Sequence, residues 1–140
     1  MNKIRMIALA ACMAATLDAS AQEQEIRLFS HRGGRMEHDE NTLSAFQASY
    51  DAGYRGFETD IRMTRDGALV ITHDSSLERT TDGTGTVEEK TEAEIRQLAT
   101  KQGNKMMFLD ELLEFLKGKE GLYVEFEMKT KPVELYPEER

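Results

Sequence analysis

The sequence has a single cysteine, Cys12, and only two prolines among its 140 residues. Cys12 lies in an N-terminal leader, so the chain that remains after cleavage of this leader has no thiol for a disulfide or a cysteine-ligated metal site. The prolines form no proline-rich linker, and the sequence contains no internal repeat and no low-complexity segment. We therefore expect one small domain after the leader.

Positive charge is also scarce in this sequence. Lysine and arginine together number 18, aspartate and glutamate number 26, and the formal net charge is -8. Binding to nucleic acid depends on a basic surface that attracts phosphates, so this balance argues against a nucleic-acid partner. No basic amphipathic helix for an anionic membrane surface is evident either.

The long apolar run of this sequence is confined to its N-terminus. Lys3 and Arg5 precede an apolar stretch at residues 6–17, and Ala19-Ser20-Ala21 follows shortly after it. This arrangement is typical of a signal peptide, and the apolar stretch is too short to span a bilayer. We predict a signal peptide at residues 1–21 and an exported protein, periplasmic or secreted, that begins at Gln22.

The leader contains one alternative processing site. Residues 9–12, Leu-Ala-Ala-Cys, resemble the lipobox of bacterial lipoproteins, and cleavage there would leave an acylated Cys12 as a membrane anchor. The apolar run before Cys12 is short and the site after Ala21 fits better, so we favour cleavage after Ala21.

Hydrophobic patterns after the leader predict alternating strands and helices. Strands are predicted at residues 26–30, 56–64, 68–72 and 122–128, and a turn at Asp66-Gly67 reverses the third of them. Residues 75–90 are polar and indicate an excursion outside the core layer. The alternation of strands and helices is typical of a parallel α/β fold.

Three helices are predicted between these strands. The first contains Leu43, Phe46 and Tyr50, and Asn41 or Thr42 caps its N-terminus. A capping box that starts at Thr91 predicts a second helix through about Thr100. The third is expected to be capped by Asp110, to end at Gly118 and to direct four residues inward: Leu112, Leu113, Phe115 and Leu116.

Two predicted strands carry carboxylates on one face. Glu58 and Asp60 are two residues apart, and Glu125 and Glu127 repeat the pattern in the last strand. In a (β/α) barrel the C-terminal ends of the strands form one rim, where converging carboxylates need a cation. Oxygen ligands without a thiolate or imidazole cluster favour Mg²⁺ or Ca²⁺. His31, directly after the first strand, suits general acid–base catalysis beside such a cation.

A series of short motifs follows the chain in a fixed order. The motifs are HRGG at 31–34, ENT at 40–42, ETD at 58–60, TRDG at 64–67, HD at 73–74, LERTTDGTG at 77–85, FLDELLEFL at 108–116 and EFEMK at 125–129. Each motif alone is weak, but the ordered set with its spacings is specific. From Phe29 to Lys129 the sequence resembles the glycerophosphodiester phosphodiesterase family.

This resemblance implies a TIM-type (β/α)₈ barrel that hydrolyses a small glycerophosphodiester to glycerol 3-phosphate and an alcohol, with one bound Mg²⁺ or Ca²⁺. Carried over by position, the implied site residues are the metal ligands Glu58, Asp60 and Glu127, the acid–base pair His31 and His73, and the phosphate-binding Arg32 and Lys129. The resemblance also implies an inserted region after the second strand, at about residues 72–104.

The sequence accounts for only part of such a barrel. A complete barrel needs about 250 residues, whereas Arg140 follows roughly the fourth strand. We therefore assign residues 22–140 to the N-terminal part of the domain, roughly its first half. Half a barrel leaves strand edges open, so we expect residues 22–140 alone to show little activity. Two alternatives are a non-catalytic secreted protein that binds phosphodiesters and an inactive truncated fragment.

Four residues carry a second interpretation. Without the resemblance, His73 would be a strand-end histidine paired with Asp74. His38 is interpreted as a solvated loop residue, and Asn41 as a helix cap. Glu125 shares the face of Glu127, which makes it either an extra ligand or a hydrogen-bond acceptor behind the ligands.

Overall fold

A computed structural model of the protein describes residues 27–129. The predicted signal peptide, the alternative processing site at Cys12 and the polar tail after Lys129 lie outside the described residues. The described part begins two residues before the first strand and ends directly after the last, so it contains all seven predicted site residues.

Residues 27–129 form four strands and three helices. In chain order they are β1 (Phe29–His31), α1 (Leu43–Asp51), β2 (Gly56–Met63), β3 (Leu69–Ile71), α2 (Glu92–Ile95), α3 (Leu109–Leu116) and β4 (Tyr123–Met128), with a 3₁₀ turn at Val87–Glu89 between β3 and α2. The longest helix, α1, has 9 residues. Within the described range, no helix has the length and apolar character needed to cross a membrane.

Strand β2 is the centre of a mixed sheet. Ser30 of β1 and Val124 of β4 both pair with Phe57, so β1 and β4 lie on opposite edges of β2, and both run parallel to it. Strand β3 is antiparallel and pairs with β2 at Ile61, beyond the end of β1. The parallel arrangement predicted for the first, second and last strands is confirmed.

The hairpin between β2 and β3 returns the chain to the level of Asp60. Gly67 adopts a φ of 91° in this turn, a conformation that glycine reaches without a steric penalty. The turn is closed by hydrogen bonds from Gly67 N to Thr64 O (3.0 Å) and from Thr64 N to Ala68 O (2.8 Å). After β3, Thr72 N donates to Asp60 O at 3.0 Å. The residue that follows, His73, therefore lies beside the carboxylate-bearing part of β2.

The main core lies between the sheet and the helices α1 and α3. Its buried members are Phe46, Phe57, Ile61, Ile71, Met107 and Leu112. The rings of Phe46 and Phe57 meet edge to face with centroids 5.6 Å apart, a favoured aromatic geometry. This packing fixes the outer face of β2, and the opposite face is left for Glu58 and Asp60.

The segment between β3 and α3 leaves the sheet and returns to it at the same place. Ile71 N donates to Met107 O at 2.8 Å, and Val70 forms a bridge with Phe108. The segment has its own small core, whose buried residues are Val70, Leu77, Val87, Ile95, Met106 and Phe108. The polar excursion is therefore confirmed, while the boundaries at 72 and 104 stay a prediction.

The second helix is shorter than predicted. The capping box is present, since Glu94 N donates to Thr91 Oγ1 (3.3 Å) and Thr91 N to Glu94 Oε2 (2.8 Å). The helix nevertheless ends at Ile95. Residues that were expected in its last turn form bridges instead, Thr100 with Thr81 and Ala99 with Lys105. The prediction was wrong at this end because tertiary pairing overrides local helix propensity.

Two details of α3 also differ from the prediction. Phe108, not Asp110, is the N-cap residue, and Asp110 lies in the first turn, where a negative charge faces the positive end of the helix dipole. Leu113 was expected to face inward but is 52% exposed, whereas Leu112 is fully buried. Adjacent helical residues differ by about 100° in direction, so one of these two leucines must point away from the core.

These two leucines provide a test of the packing. We expect Leu112→Ala to lower the free energy of unfolding by about 2–5 kcal/mol, because it leaves a cavity in the main core. Leu113→Ala, the matched control, should change it by less than about 0.5 kcal/mol. Urea unfolding followed by circular dichroism measures both, and equal losses for the two variants would contradict the described orientation of α3.

Candidate active site

Three carboxylates from two neighbouring strands converge on the inner face of the sheet. Glu58 and Asp60 belong to β2, and Glu127 of β4 pairs with Asp60 in the register of the sheet. One carboxylate oxygen of each residue lies within 4.8 Å of the others. Asp60 is fully buried, Glu58 is partly buried and Glu127 is exposed. The cluster is therefore anchored in the protein and open on one side.

The donor set fits a hard divalent cation. Within residues 27–129, Asp60 Oδ1 is a buried oxygen that accepts no hydrogen bond of good geometry, although Lys129 Nζ lies 3.1 Å from it. Asp60 Oδ2 accepts a hydrogen bond from Asn41 Nδ2 at 3.0 Å. A buried carboxylate is costly unless a positive charge compensates it, and either an ammonium group or a metal ion can do so. Carboxylate oxygens without thiolates are the ligands that Mg²⁺ and Ca²⁺ prefer.

A lysine ammonium group lies against two of these carboxylates. Lys129 Nζ is 3.1 Å from Asp60 Oδ1 and forms an ion pair with Glu127. Burial opposes the charge of Lys129, but the interactions with Glu127 and Asp60 outweigh it and raise the pKa of this amine. Lys129 thus neutralises part of the cluster, although the resemblance places it at the phosphate.

The surroundings of Glu58 oppose its ionisation. Burial, followed by the negative charge of Asp60, raises the pKa of Glu58 above its usual value, and the positive charges of His31 and Arg32 only partly oppose this. The ionised form of Glu58 is therefore less favourable here than in water, in the absence of a cation. A bound cation would reverse this penalty.

The loop after β1 turns back sharply, which carries Arg32 into the same cluster. Arg32 has a φ of 53° and Gly33 a φ of 76°. A Cβ atom at Gly33 would lie 3.0 Å from Ala45 Cβ, so α1 packs directly on this glycine. Backbone strain of this kind at a non-glycine residue is characteristic of functional sites. The first glycine of the HRGG motif, Gly33, is therefore required by its positive φ and by its close contact with α1.

The side chain of Arg32 is buried between two acidic residues. Its Nη1 donates to Glu40 Oε1 at 3.1 Å, and its Nε lies 3.3 Å from Asp60 Oδ2. Its backbone N–H donates to Glu58 O at 2.9 Å. Arg32 is 7% exposed, so a fixed positive charge stands beside the carboxylate cluster.

The two histidines lie in different surroundings. The side chain of His31 is 52% exposed, and its Nε2 is 3.6 Å from Glu58 Oε2. The ring of His73 is hydrogen-bonded through Nδ1 to Asp74 Oδ1 at 2.6 Å, as the alternative interpretation expected. His31 therefore contacts the carboxylate cluster directly, whereas His73 contacts it through other residues.

A chain of charged side chains connects His73 to the cluster. It runs through Asp74, Arg79, Glu40 and Arg32 to Asp60. Glu40 belongs to the ENT motif and Arg79 to the LERTTDGTG motif, but no role was predicted for either residue. These ion pairs join residues that are far apart in the sequence, so the spacing of residues in the sequence could not predict them.

Asn41 was interpreted as a helix cap, and this was wrong. Thr42 is the N-cap residue of α1, and its Oγ1 accepts from Ala45 N at 3.3 Å. Asn41 is buried with a φ of 59°, donates to Asp60 and accepts from Thr59 Oγ1 at 3.0 Å. It therefore orients a carboxylate of the cluster, and the ENT motif was the signal for it.

Two further interpretations concern His38 and Glu125. His38 is exposed in the loop before α1, as predicted. Glu125 pairs with Glu58 in the register of the sheet and is exposed. The carboxylate cluster found among the described residues consists of Glu58, Asp60 and Glu127, so Glu125 lies outside it.

Comparison with known families matches this chain at residues 31–139 to the glycerophosphoryl diester phosphodiesterase family. A glycerophosphodiester phosphodiesterase of Caldanaerobacter subterraneus subsp. tengcongensis is 36% identical over 117 residues, which are 79% of this chain and 47% of that protein. Human glycerophosphodiester phosphodiesterase 1 is 44% identical over 73 residues, which are 52% of this chain and 22% of that protein.

Solved structures show the same likeness. A glycerophosphodiester phosphodiesterase from Agrobacterium tumefaciens is 36% identical with a TM-score of 0.67, over 73% of this chain and 47% of that one. An Oleispira antarctica phosphodiesterase, solved with the product sn-glycerol-3-phosphate, is 31% identical with a TM-score of 0.69, over 74% and 44% respectively.

The match covers the whole described site, from His31 to Lys129. The chain spans about half the length of these bacterial relatives. Their fold is the TIM-type (β/α)₈ barrel, and the mixed sheet described above is the corresponding part of it, as the sequence predicted. On this evidence of sequence and structure, the chain belongs to the glycerophosphoryl diester phosphodiesterase family.

Proposed function

We propose that the full-length protein hydrolyses small glycerophosphodiesters to glycerol 3-phosphate and an alcohol, with one divalent cation, Mg²⁺ or Ca²⁺, bound by Glu58, Asp60 and Glu127. The observation that carries this proposal is the convergence of these carboxylates within 4.8 Å in a chain of this family. The Oleispira relative, solved with sn-glycerol-3-phosphate, supports the substrate class.

The substrate anion is attracted by cations that the chain itself supplies. Arg32 suits a phosphate because its planar guanidinium group can donate to two oxygens at once. Lys129 pairs with Asp60 and Glu127. Its ammonium group would therefore be available for the phosphate when these carboxylates hold a divalent cation. The chemistry that such a cation supplies is neutralisation of charge on the phosphate oxygens in the transition state.

The two histidines are proposed to move the protons. His31 is half exposed beside Glu58, where it can reach a substrate bound at the cluster. Asp74 holds Nδ1 of His73, which leaves Nε2 as the nitrogen that gives or takes a proton. One histidine would accept the proton of the nucleophile, water or the glycerol 2-hydroxyl, while the other protonates the leaving alkoxide.

The histidines provide the test of this function. We expect the full-length protein to release glycerol 3-phosphate from glycerophosphocholine with Mg²⁺ or Ca²⁺, and to lose this activity on chelation. His31→Gln and His73→Gln should each lower kcat by about 10²–10⁴-fold, the usual share of general acid–base catalysis. His38→Gln, a change at the exposed loop histidine, is the control and should leave kcat unchanged.

Two results would contradict the proposed function. Full activity in both His31→Gln and His73→Gln would remove their role as the acid–base pair. Tight binding of glycerophosphocholine without any release of glycerol 3-phosphate would favour the alternative of a non-catalytic binding protein.

The metal site is tested by Glu58→Gln in the full-length protein. Mutation of a residue that only hydrogen-bonds to a metal ligand already lowers metal affinity by about 10–100-fold. Loss of a ligand itself should therefore weaken cation binding by at least about tenfold. The raised pKa of Glu58 means that its ionised form destabilises the metal-free fold as pH rises above the usual value of 4.5. Glu58→Gln should therefore raise the melting temperature of metal-free protein at pH 7 while it reduces the increase caused by Mg²⁺ or Ca²⁺.

The pH dependence of cation binding follows from the same pKa. Protons compete with the cation for Glu58, so affinity should fall as pH decreases towards the usual range of carboxyl pKa values. Calorimetry at several pH values measures this, with Glu114→Gln as an exposed control on α3. Unchanged cation affinity in Glu58→Gln would show that the assignment of this ligand is wrong.

We also propose that the protein is exported and that its leader is cleaved after Ala21. The support is the order of basic, apolar and small residues in the first 21 positions. Intact-mass analysis of the exported protein should show a chain that begins at Gln22. An N-terminal acylated Cys12 would contradict this and would indicate a lipoprotein instead.

A further inference from the structure

We propose that Arg79 is a positioning residue, which orients the ring of His73 through Asp74 and fixes its place relative to Arg32 through Glu40. This inference rests on the proposed function, since it gives His73 and Arg32 their roles in catalysis. Arg79 lies in the polar excursion after β3, in a part of the chain to which the carboxylate cluster itself does not extend.

The hydrogen bonds of Arg79 account for this role. Its Nη1 and Nη2 donate to the two oxygens of Glu40 at 3.0 and 2.7 Å, and its Nε donates to Asp74 Oδ2. A bidentate pair fixes the plane of the guanidinium group, and that plane fixes the direction of the Nε–H bond. Arg79 is thus a rigid connection between two carboxylates that are 34 positions apart in the sequence.

Asp74 transmits this orientation to the histidine. One of its oxygens accepts from Arg79 and the other is 2.6 Å from His73 Nδ1. With both oxygens engaged, the carboxylate cannot rotate without breaking a hydrogen bond, so the imidazole plane is set as well. A carboxylate that holds Nδ1–H selects the tautomer with a free Nε2.

Glu40 transmits the orientation in the other direction. Its Oε1 accepts from Arg32 Nη1 at 3.1 Å in addition to Arg79 Nη2. Arg32 in turn lies 3.3 Å from Asp60. The proton-transfer group His73 and the phosphate-binding group Arg32 are therefore held in one framework, and Arg79 lies at its midpoint.

The two carboxylates of this framework are kept ionised by Arg79. Its hydrogen bond is the largest influence on Asp74 and, together with a smaller contribution from His73, outweighs burial and lowers the pKa of Asp74 to about 2. The hydrogen bond of Arg79 also has the largest effect on Glu40 and lowers the pKa of that carboxyl. Both residues therefore remain acceptors across the neutral range.

The main chain around these residues is fixed independently. Arg62 Nε donates to the carbonyl oxygen of His73 at 2.8 Å, and Arg62 Nη1 pairs with buried Glu88 at the same distance. Near Arg79, Leu77 is buried and its carbonyl oxygen accepts from Thr81 N at 3.0 Å. Because the backbone is held in both places, loss of the Arg79 side chain should release the ring of His73 without unfolding the segment.

The side chain of Arg79 is 47% accessible to solvent. An isolated exposed ion pair contributes only about 0–1 kcal/mol to stability. The role proposed here is orientation, however, and small displacements of a catalytic group cost rate far more than they cost stability. The free energy of unfolding is therefore a poor measure of this role, whereas the tautomer of the His73 ring reports it directly.

The test compares Arg79→Gln, Arg79→Lys and Arg96→Gln in the full-length protein. Arg96 is a matched control, because it also pairs with carboxylates from two segments, Glu92 and Glu111, at a distance from the proposed site. Nitrogen-15 NMR of the His73 ring, at a pH where the ring is neutral, reports its tautomer. The native protein and Arg96→Gln should show the tautomer protonated at Nδ1.

Arg79→Gln should show a mixture of tautomers and a kcat that is lower by about 10–100-fold, since misplacement of a catalytic group costs about this much. The affinity for Mg²⁺ should stay within about twofold, because Arg79 contacts none of the three proposed ligands. The KM for glycerophosphocholine should rise by less than kcat falls, since Arg32 keeps its own contacts with Glu40 and Asp60. Arg79→Lys keeps the positive charge but lacks the bidentate guanidinium group. It should therefore recover part of the native tautomer population and part of kcat.

Native tautomer and native kcat in Arg79→Gln would overturn this inference and leave the proposed function intact. A mixed tautomer with unchanged kcat would confirm that Arg79 positions His73 but would contradict the catalytic role of that histidine. If Arg79→Gln does not fold, Arg79→Lys decides: a native tautomer and kcat there would overturn the need for the guanidinium fork.

Discussion

Repulsion among Glu58, Asp60 and Glu127 is the constraint around which the rest of this site is arranged. The parallel pairing of β2 and β4 places Glu127 beside Asp60, so the fold itself creates the crowding of negative charge. Three neighbours relieve it: Lys129 and Arg32 by charge, and Asn41 by a hydrogen bond. Burial and the negative charge of Asp60 still raise the pKa of Glu58. This excess of negative charge favours the binding of a divalent cation.

The second constraint is that His73, the proposed proton-transfer group, follows a strand that runs antiparallel to β2. Strand β3 is antiparallel, yet it pairs with the part of β2 beyond β1 and so ends beside Asp60. The excursion that follows supplies Glu88, which pairs with Arg62, the donor to the His73 carbonyl oxygen. It also supplies Arg79, which donates to Asp74 and Glu40. A surface excursion thus contributes to the order of the site.

Local patterns in the sequence predicted the elements and the carboxylates, because strand alternation and capping depend on neighbouring residues. The same reasoning failed for the end of α2, where Thr100 pairs with Thr81, and for Asn41, whose partner Asp60 is distant in sequence. His73 required the family resemblance, since its position depends on the register of a hairpin. The network through Arg79 depends on tertiary contacts and has no signature in spacing.

The most direct measurement of the central claim is a crystal structure of the full-length protein with Mn²⁺, located by its anomalous scattering, as a substitute for Mg²⁺ or Ca²⁺. A cation bound as proposed should give one strong peak at about 2.0–2.6 Å from oxygens of Glu58, Asp60 and Glu127. Lys129 Nζ should then have left its position 3.1 Å from Asp60 Oδ1. A peak elsewhere, or an empty cluster with Lys129 still paired to Asp60 at saturating Mn²⁺, would show that these three carboxylates are not the metal site.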